Sequence, residues 1–244
     1  MISFLISAFN EGKFIKGTVD TIYKSVDEVE FIDKFEIVIV NDGSSDFTEK
    51  SIQELQSKFK NITYCKNEKN LGMGYSIKKG LKLIKYSKFM LLPGGDDVQA
   101  DAIISILKHF HSSDLVMAFP INTEDRTKFR NIISKLYSLI YIIFFDCCVN
   151  YINGPSIFPT EKVRNMKLRS DRNGIISEII TKLLHSDITY CEVPVFFGFR
   201  QKERSIITIK VLYDAIVSFI RLFIEMKVFD KNKFSIRSKR KNIY

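Results

Sequence analysis

Carboxylate and amide side chains follow the predicted strands of the first hundred residues at the points where those strands end. The most informative case is the polar segment NDGSSDFT at 41–48, which comes directly after the β-branched run at 37–40. An acidic pair in a Gly-Ser loop at the carboxyl end of a buried parallel strand is where open α/β sheets place ligand-binding groups. The simpler interpretation is a strand, a turn and a helix start, in which Asp46 caps the helix with Glu49 as its capping-box partner.

Short apolar strands alternate with amphipathic helices along the first half of the chain. This β-α-β-α order implies an α/β fold with a mostly parallel sheet and right-handed crossovers, and a nucleotide would bind at the carboxyl edge of that sheet. The predicted strands are 2–7, 35–40, 62–65, 88–92 and 114–119, and the predicted helices of the first half start at 13, 47 and 73.

The composition fits a single globular domain with an anionic partner. The chain has 244 residues, of which 45% are hydrophobic, and a formal net charge of +9. Such a charge favours nucleotide diphosphates, acidic lipid head groups or nucleic acid, and by itself does not choose among them. The four cysteines lack a C-x-x-C spacing, so we expect reduced thiols rather than a zinc site or disulfides. The three histidines are not expected to form a site.

The sequence gives no sign of secretion or of a membrane-spanning helix. Met1 is followed at once by a predicted strand, which leaves no room for a secretory signal. No window reaches the roughly 18 uninterrupted apolar residues that a spanning helix needs. We therefore expect a cytoplasmic protein that can touch a membrane without crossing it.

The segments SAFNE at 7–11 and VNDGSSDFT at 40–48 resemble the P-x-Y-N-E and V-D-D-G-S-x-D-x-T signature of family 2, GT-A-fold glycosyltransferases. Ser7 stands where proline is usual, and Asn41 where the first aspartate is usual. NLGMGYSIKKG at 70–80 resembles the family's N-x-G-x-x-x-A-x-x-x-G segment. The resemblance implies a Rossmann-like GT-A fold. It continues more loosely to about residue 205, where it is similar to the dolichyl-phosphate and polyprenyl-phosphate sugar transferase branch.

The resemblance also implies a binding site for a nucleoside-diphosphate sugar. Its residues, by match to the family's motifs, are Ala8, Asn10, Glu11, Asn41, Asp42, Ser44, Asn70, Gly72, Lys78 and Asp96. In the family an Asp-x-Asp pair follows the fourth strand, and its last carboxylate coordinates a divalent ion. Asp97 matches that position, while Gly95 replaces the first aspartate. Mg²⁺ or Mn²⁺ takes hard oxygen ligands, so one or two carboxylates suffice.

The second half resembles the acceptor side of the polyprenyl-phosphate branch. NGPSIF at 153–158 is similar to the family's S-G-F-R-x-F strand without its arginine, and the segment 192–200 is similar to its E-V-P-I-x-F-x-x-R strand. The basic residues that the resemblance places near phosphate are Arg130, Arg200, Lys202 and Arg204. Glu178 or Asp171 is a candidate general base for a hydroxyl acceptor, whereas a phosphate acceptor needs no base. The alternative is that these acids merely lie on a solvated helix face.

Two apolar helices are predicted in the second half. The helix at 132–149 is apolar at nearly every position, which predicts that it is buried. The helix at 206–230 has one thin polar stripe and a broad apolar face, and a basic tail follows at 231–244. An apolar face next to a basic tail favours peripheral attachment to an anionic membrane. Packing on the catalytic domain, 1–205, or on a second subunit of a homodimer is the competing interpretation.

Taken together, these patterns predict a metal-assisted, inverting GT-A glycosyltransferase. Its expected acceptor is a polyprenyl phosphate or a lipid-linked glycan at the cytoplasmic membrane face, in the synthesis of cell-surface polysaccharide or glycolipid. A non-catalytic homologue that binds nucleotide or membrane is the main alternative, because Gly95 and Asn41 depart from the family pattern. A nucleic-acid binder is third, since the charges lack an interleaved aromatic and basic patch. A nucleotidyltransferase is disfavoured, since no G-x-G-T-R-like phosphate loop follows the first strand.

Overall fold

A computed structural model describes residues 1–122, 128–197 and 209–243, with the backbone alone at 129, 130, 209 and 210. The strands are β1 Ile2–Ala8, β2 Phe35–Asn41, β3 Ile62–Lys66, β4 Lys88–Pro93, β5 Leu115–Pro120, β6 Ser156–Pro159, β7 Thr189–Val195 and β8 Lys239–Arg240. The helices are α1 Ile15–Asp27, α2 Thr48–Lys58, α3 Met73–Leu81, α4 Ala100–Lys108, α5 Lys128–Phe145, α6 Thr160–Arg164, α7 Ile175–Leu184 and α8 Ile209–Ile224. A π-helical turn, Glu225–Phe229, extends α8.

The described strands form one sheet in the order β3-β2-β1-β4-β6-β5-β7-β8. Strands β1 to β4 are parallel, β6 runs antiparallel to both β4 and β5, and β7 is parallel to β5 and β8. The ends of β1, β2 and β4 and the start of β6 therefore meet at one edge of the sheet, which we call the catalytic edge. The predicted α/β fold with a mostly parallel sheet is confirmed.

Side chains of the central strands are buried on both faces of the sheet. On β1, Phe4 and Ile6 pack into the cluster under α1, α2 and α4, while Leu5 packs into the cluster under α3, α5 and α7. This follows from the period of two along a strand, which sends neighbouring side chains to opposite faces. Helices on both faces explain why these strands read as continuous apolar runs.

The two apolar helices of the second half differ from their prediction. Helix α5 begins at Lys128 and ends at Phe145, earlier than the predicted 132–149. Its inner face is buried at Tyr141 and Phe145, but Ile132 and Ile143 are 64% and 65% exposed. The prediction that α5 is buried is therefore wrong for its outer face. Described residues cover only one side of the helix.

The basic tail, predicted as a segment separate from the domain, returns to the sheet. Lys239 and Arg240 form β8, which pairs in parallel with the start of β7. Arg240 makes an ion pair of 2.9 Å with the buried carboxylate of Glu192, and Arg237 lies 3.3 Å from Asp146. These contacts hold part of the tail against the domain.

The predicted capping box at α2 is half present. The carboxylate of Asp46 accepts hydrogen bonds from the N–H of Thr48 (3.0 Å) and from its hydroxyl. Glu49 does not reach back to the helix start, because its carboxylate pairs with Lys66 at 2.6 Å and accepts the Tyr64 hydroxyl at 3.2 Å. Side chains of strand β3 therefore bind the Glu49 carboxylate, which the capping-box motif had assigned to the start of α2.

Candidate active site

The loops that follow β1 and β2 are joined by hydrogen bonds at the catalytic edge. The Asn10 N–H donates to the Ser44 hydroxyl (2.9 Å), and the Asn10 side-chain oxygen accepts from the Ser45 N–H (2.9 Å). Asn10 has a positive φ of 57°, a left-handed conformation that asparagine tolerates better than most residues. The part-buried Glu11 donates its N–H to the Thr48 hydroxyl at 2.8 Å. The NE and NDGSSDFT motifs therefore form one unit, as their shared family signature implied.

Backbone N–H groups also surround Asp46. Its carboxylate accepts from Gly12 at 3.2 Å as well as from Thr48. Burial raises the pKa of Asp46, but the hydrogen bonds from Thr48 and Gly12 outweigh burial and leave that pKa below its ordinary value. Asp46 therefore stays ionised and stabilises the first turn of α2 in the position that the β1 loop requires.

Asp42 is the anchor of the next loop along the edge. It is 2% exposed, and one carboxylate oxygen accepts from the Asn67 amide (2.8 Å) and the Leu71 N–H (3.0 Å), while the other accepts from the Gly72 N–H (2.8 Å). Its own N–H donates to the carbonyl of Ala8 at 2.8 Å. These contacts make Asp42 the residue that positions the 67–72 loop, and its predicted binding to the nucleoside stays a prediction. The sequence analysis did not identify Asn67. The pattern that could have found it is a polar residue directly after β3.

The remaining donor-side residues lie around this anchor. Asn41 is fully buried, and its side-chain oxygen accepts the Ser44 N–H at 2.9 Å, which closes the turn after β2. Gly43, at a φ of 68°, packs against the backbone of Lys69 and Asn70. Asn70 itself is exposed. The structure therefore brings Ala8, Asn10, Asn41, Ser44 and Asn70 close together, and their role in donor binding stays a prediction.

Gly72 and Gly74 allow a distant segment to approach the start of α3. A Cβ at Gly74 would lie 2.5 Å from the carbonyl oxygen of Ser170, and one at Gly72 would collide with the carbonyl oxygen of Asp171. That Asp171 oxygen accepts the N–H of Tyr75 in the first turn of α3, at 3.0 Å. Gly72 also has a φ of 102°, which strains any other residue. The glycine motif thus serves close backbone packing.

Asp171 and Lys78, predicted separately as base and donor ligand, form one ion pair. Lys78 Nζ lies 2.5 Å from Asp171 Oδ1, and the Asp171 side chain is 58% exposed. The Asp171 carbonyl also accepts a hydrogen bond from Tyr75 at the start of α3. The Asp171 carboxylate therefore lies beside Gly72, at the catalytic edge. It is an exposed carboxylate close to the donor-side loops.

The two aspartates after β4 have different surroundings. Asp96 has a positive φ of 56°, its N–H donates to the Thr18 hydroxyl (2.9 Å), and its carboxylate accepts from Thr21 (3.3 Å) and contacts Gly17. These contacts join Asp96 to α1. Asp97 is exposed at the edge. Of the pair, Asp97 therefore has the position that fits a metal-binding carboxylate.

Glu178 is buried, so the alternative that it merely lies on a solvated helix face is wrong, and its carboxylate is engaged inside the protein. It is 3% exposed, and its carboxylate accepts the N–H groups of Arg169 (2.9 Å) and Ser170 (2.8 Å) and the ammonium of Lys182 (2.7 Å). Lys182 in turn contacts Glu225 at 3.0 Å, and Glu225 accepts from Arg169 Nε at 2.7 Å. Glu178 belongs to a buried ionic network that holds the 169–172 segment between α3 and α8.

A neutral polar cluster lies on the acceptor side of the edge. The Ser177 hydroxyl is 2.7 Å from the Asn153 side-chain oxygen and 2.8 Å from the Tyr137 hydroxyl. Sequence reasoning missed Tyr137 and Ser177, because nothing in the local pattern links α5 to α7. Arg130 is in α5, where its backbone alone is described. Arg200, Lys202 and Arg204 lie outside the described residues.

The family follows from a match that covers more than half of the chain. The model of glycosyl transferase family 2 matches residues 3–147, which include both joined loops, the Asp42 anchor and the aspartates after β4. The chain belongs to glycosyl transferase family 2. Within the described residues, this family 2 chain has no cluster of three or more His, Cys, Asp or Glu side chains able to hold a metal ion.

Two relatives extend this finding. An uncharacterized protein of Methanocaldococcus jannaschii is 27% identical over 242 residues, covering 91% of this chain and 99% of that protein. The poly-beta-1,6-N-acetyl-D-glucosamine synthase of Staphylococcus epidermidis is 30% identical over 146 residues, covering 60% of this chain and 34% of the synthase. The family 2 chain thus spans about a third of the synthase's length.

Solved structures share the fold at low sequence identity. Glucosyl-3-phosphoglycerate synthase from Mycobacterium tuberculosis, in complex with Mn²⁺, UDP and phosphoglyceric acid, has a TM-score of 0.67 at 16% identity, covering 91% of this chain and 78% of that one. S. aureus TarS 1–349 in complex with UDP-GlcNAc has a TM-score of 0.60 at 13% identity, covering 95% and 69% of the two chains. Both support the GT-A architecture.

Proposed function

We propose that this protein transfers a sugar from a nucleoside-diphosphate sugar to a polyprenyl phosphate or lipid-linked glycan at the cytoplasmic face of a membrane. The observation that carries the proposal is the catalytic edge itself. There the joined loops, the Asp42-anchored segment and the exposed Asp97 meet at the ends of β1, β2 and β4. Open α/β sheets bind nucleotides at such an edge.

Donor binding is expected beside Asp97 with Mg²⁺ or Mn²⁺. An exposed carboxylate suits a hard divalent ion whose other ligands are diphosphate oxygens and water. Such an ion would neutralise the charge that builds on the departing diphosphate. The protein's own part is to position the donor between the loops at 8–12, 41–48 and 67–72. The Mn²⁺, UDP and UDP-GlcNAc in the similar structures support this donor class.

A phosphate acceptor agrees best with the surroundings of the two candidate bases, Glu178 and Asp171. Glu178 has its carboxylate engaged inside the protein, and Asp171 is paired with Lys78. A hydroxyl nucleophile needs a base within reach, whereas a phosphate oxygen is already anionic. In a single inverting displacement, an oxygen of the polyprenyl phosphate would bond to the anomeric carbon of the donor sugar as the nucleoside diphosphate leaves, so neither residue needs to accept a proton. This supports the sugar transferase branch suggested by the segments at 153–158 and 192–200.

The proposal is tested by measuring melting temperature with UDP or GDP, with and without Mn²⁺. A ligand that binds only the folded protein raises that temperature. The Asp97→Asn variant should lose most of the Mn²⁺-dependent rise. Asp101→Asn, which changes an exposed aspartate in the first turn of α4, is the matched control and should retain it. An unchanged rise in Asp97→Asn would remove Asp97 from the site.

Turnover separates an enzyme from a non-catalytic homologue. The protein, a sugar nucleotide that raises its melting temperature, and a polyprenyl phosphate should release nucleoside diphosphate. The turned-away Asp96 and the glycine at 95 favour the non-catalytic alternative, in which donor binds without release. Binding without turnover across polyprenyl phosphates and lipid-linked sugars would therefore refute the enzymatic proposal while leaving donor binding intact.

A further inference from the structure

Helix α8 packs on the domain with its two acidic residues and with apolar side chains such as Leu222 and Met226. The helix and its π-helical turn contain two acidic residues, Asp214 and Glu225. Asp214 lies 3.6 Å from Arg172, and Glu225 is bound by Lys182 and Arg169. Between them, Ser218 packs against Gly174. Leu222 and Met226 are buried on the same side of the helix. The side of α8 that contacts the domain therefore mixes polar and apolar residues.

The opposite side of α8 is apolar and uncovered within the described chain. Its outward residues recur about once per turn and are between 40% and 65% exposed: Tyr213, Ile216, Ile220, Ile224 and Val228. Single exposed apolar residues are common on protein surfaces, but a contiguous row marks a binding surface. Water is not a favourable neighbour for this row, so another molecule is expected to cover it.

Helix α5 lies beside α8 and adds a second apolar row. Phe144 of α5 is 45% exposed and its ring centroid lies 5.4 Å from that of Phe219 and 5.7 Å from that of Phe223, both in α8. The outer residues Ile132, Leu136, Leu139 and Ile143 are between 48% and 65% exposed. We call the outward rows of α5 and α8 the apolar platform.

Basic residues accompany the apolar platform. Helix α5 contains no acidic residue and exposes Lys128 and Lys135. On α8, a pocket is lined by Arg169, Arg221, Ile224, Glu225 and Phe229, so two guanidinium groups stand beside exposed apolar side chains. Because Glu225 pairs with Lys182 and Arg169, the exposed positive charges beside the platform are mainly those of Arg221, Lys128 and Lys135. Arginine side chains of this kind bind phosphate oxygens well.

We infer that the apolar platform docks on an anionic phospholipid bilayer, with Arg169 and Arg221 taking a lipid phosphate group. The charge argument selects this occupant over a second copy of the chain, because two basic platforms brought face to face would repel each other. An anionic membrane offers apolar tails and phosphates together. No helix in the described ranges is long and apolar enough to span a bilayer, so the contact is along the surface.

The inference rests on surface chemistry and is independent of the proposed catalysis. The full chain should co-float with vesicles that contain one-third phosphatidylglycerol and bind at least tenfold less to pure phosphatidylcholine vesicles. The double variant Ile216→Ser with Ile220→Ser should reduce binding at least tenfold, and Arg221→Gln should reduce it about threefold. Lys50→Gln, which removes an exposed charge on α2, is the matched control and should bind like the parent. Asp97→Asn should also bind normally, so loss of catalysis and loss of docking are distinguishable.

Circular dichroism melts of each variant exclude unfolding as the cause of lost binding. Equal binding of the parent and of the double variant Ile216→Ser with Ile220→Ser would overturn the inference. So would a parent that ignores anionic vesicles at low salt. A dimer in light scattering that becomes monomeric in the double variant would assign the platform to a second copy of the chain instead.

Discussion

Helices α2 and α8 lie on the outside of the same domain and present opposite surfaces. Helix α2 buries Ile52 and Leu55 against the sheet and exposes Lys50, Glu54 and Lys58. Helix α8 places its acidic residues against α7 and the 169–174 segment and exposes an apolar row. The difference teaches that an amphipathic pattern gives two faces without saying which one the domain takes. On the α2 side the domain contacts an apolar face, whereas on the α8 side it contacts a mixed face that holds the acidic residues together with the buried Leu222 and Met226.

The cost of burying charge makes the α8 arrangement the more sensitive of the two. Lys182 is 2% exposed and contacts both Glu178 and Glu225. Removing one partner of a buried ion pair leaves the other charge without compensation. The ionic network therefore contributes to holding α8, beside the buried Leu222 and Met226.

The largest expected effect is the loss of Lys182. Lys182→Met should lower the free energy of unfolding by about 3–5 kcal/mol, measured by urea denaturation, because two carboxylates lose a buried partner. Lys50→Met on the exposed face of α2 is the control and should change it by about 0.5 kcal/mol or less. Similar values for the two variants would show that the network does not hold α8.

A pair of isoleucines compares the two helices directly. Ile52→Ala on α2 removes a fully buried side chain and should cost about 2–5 kcal/mol of unfolding free energy. Ile220→Ala on α8 removes a side chain that is 48% exposed, and in lipid-free buffer it should cost about 0.5 kcal/mol or less. A large loss for Ile220→Ala would mean that α8 buries its apolar row, contrary to the orientation described.

The smallest expected effect concerns His185, which is buried directly after the last residue of α7. Its Nδ1 lies 2.9 Å from the Thr181 carbonyl, so that nitrogen carries the proton, and its Nε2 has no hydrogen-bond partner among the described residues. Burial lowers the pKa of His185 in the folded protein, although the Thr181 hydrogen bond acts in the opposite direction. The unfolded chain therefore binds the proton more readily than the folded one.

Stability should consequently fall as the pH drops below about 6.5, the ordinary pKa of histidine, and this component should be absent above it. Urea midpoints between pH 7.5 and 5 measure the slope. His185→Gln keeps a donor for Thr181 and does not titrate, so it should flatten the slope by an amount smaller than the Ile52→Ala effect. An unaltered slope in this variant would assign the acid sensitivity to other groups.

Much of the donor side could be predicted because its signals are local. Each strand of the first half is an apolar run that ends in polar residues, and the parallel order brings those ends to one edge. This placed Asn10, Asn41 and Ser44 together before any contact was known. The buried roles of Asp42 and Glu178 could not be predicted, since the side chain's own sequence neighbours do not reveal whether its oxygens meet solvent or distant N–H groups.

The sequence by itself determined the α/β order, the polar strand ends and the existence of two apolar helices in the second half, because each depends on residue types within one element. Tertiary structure alone decided which side of α8 faces the domain and where Asp171 contacts Gly72 and Lys78. It also decided that the Glu49 carboxylate pairs with Lys66. Those outcomes depend on contacts between segments far apart in the chain. In particular, Arg172, Lys182 and Arg169 pair with the acidic residues of α8 on the side that also buries Leu222 and Met226, while a second apolar row faces outward.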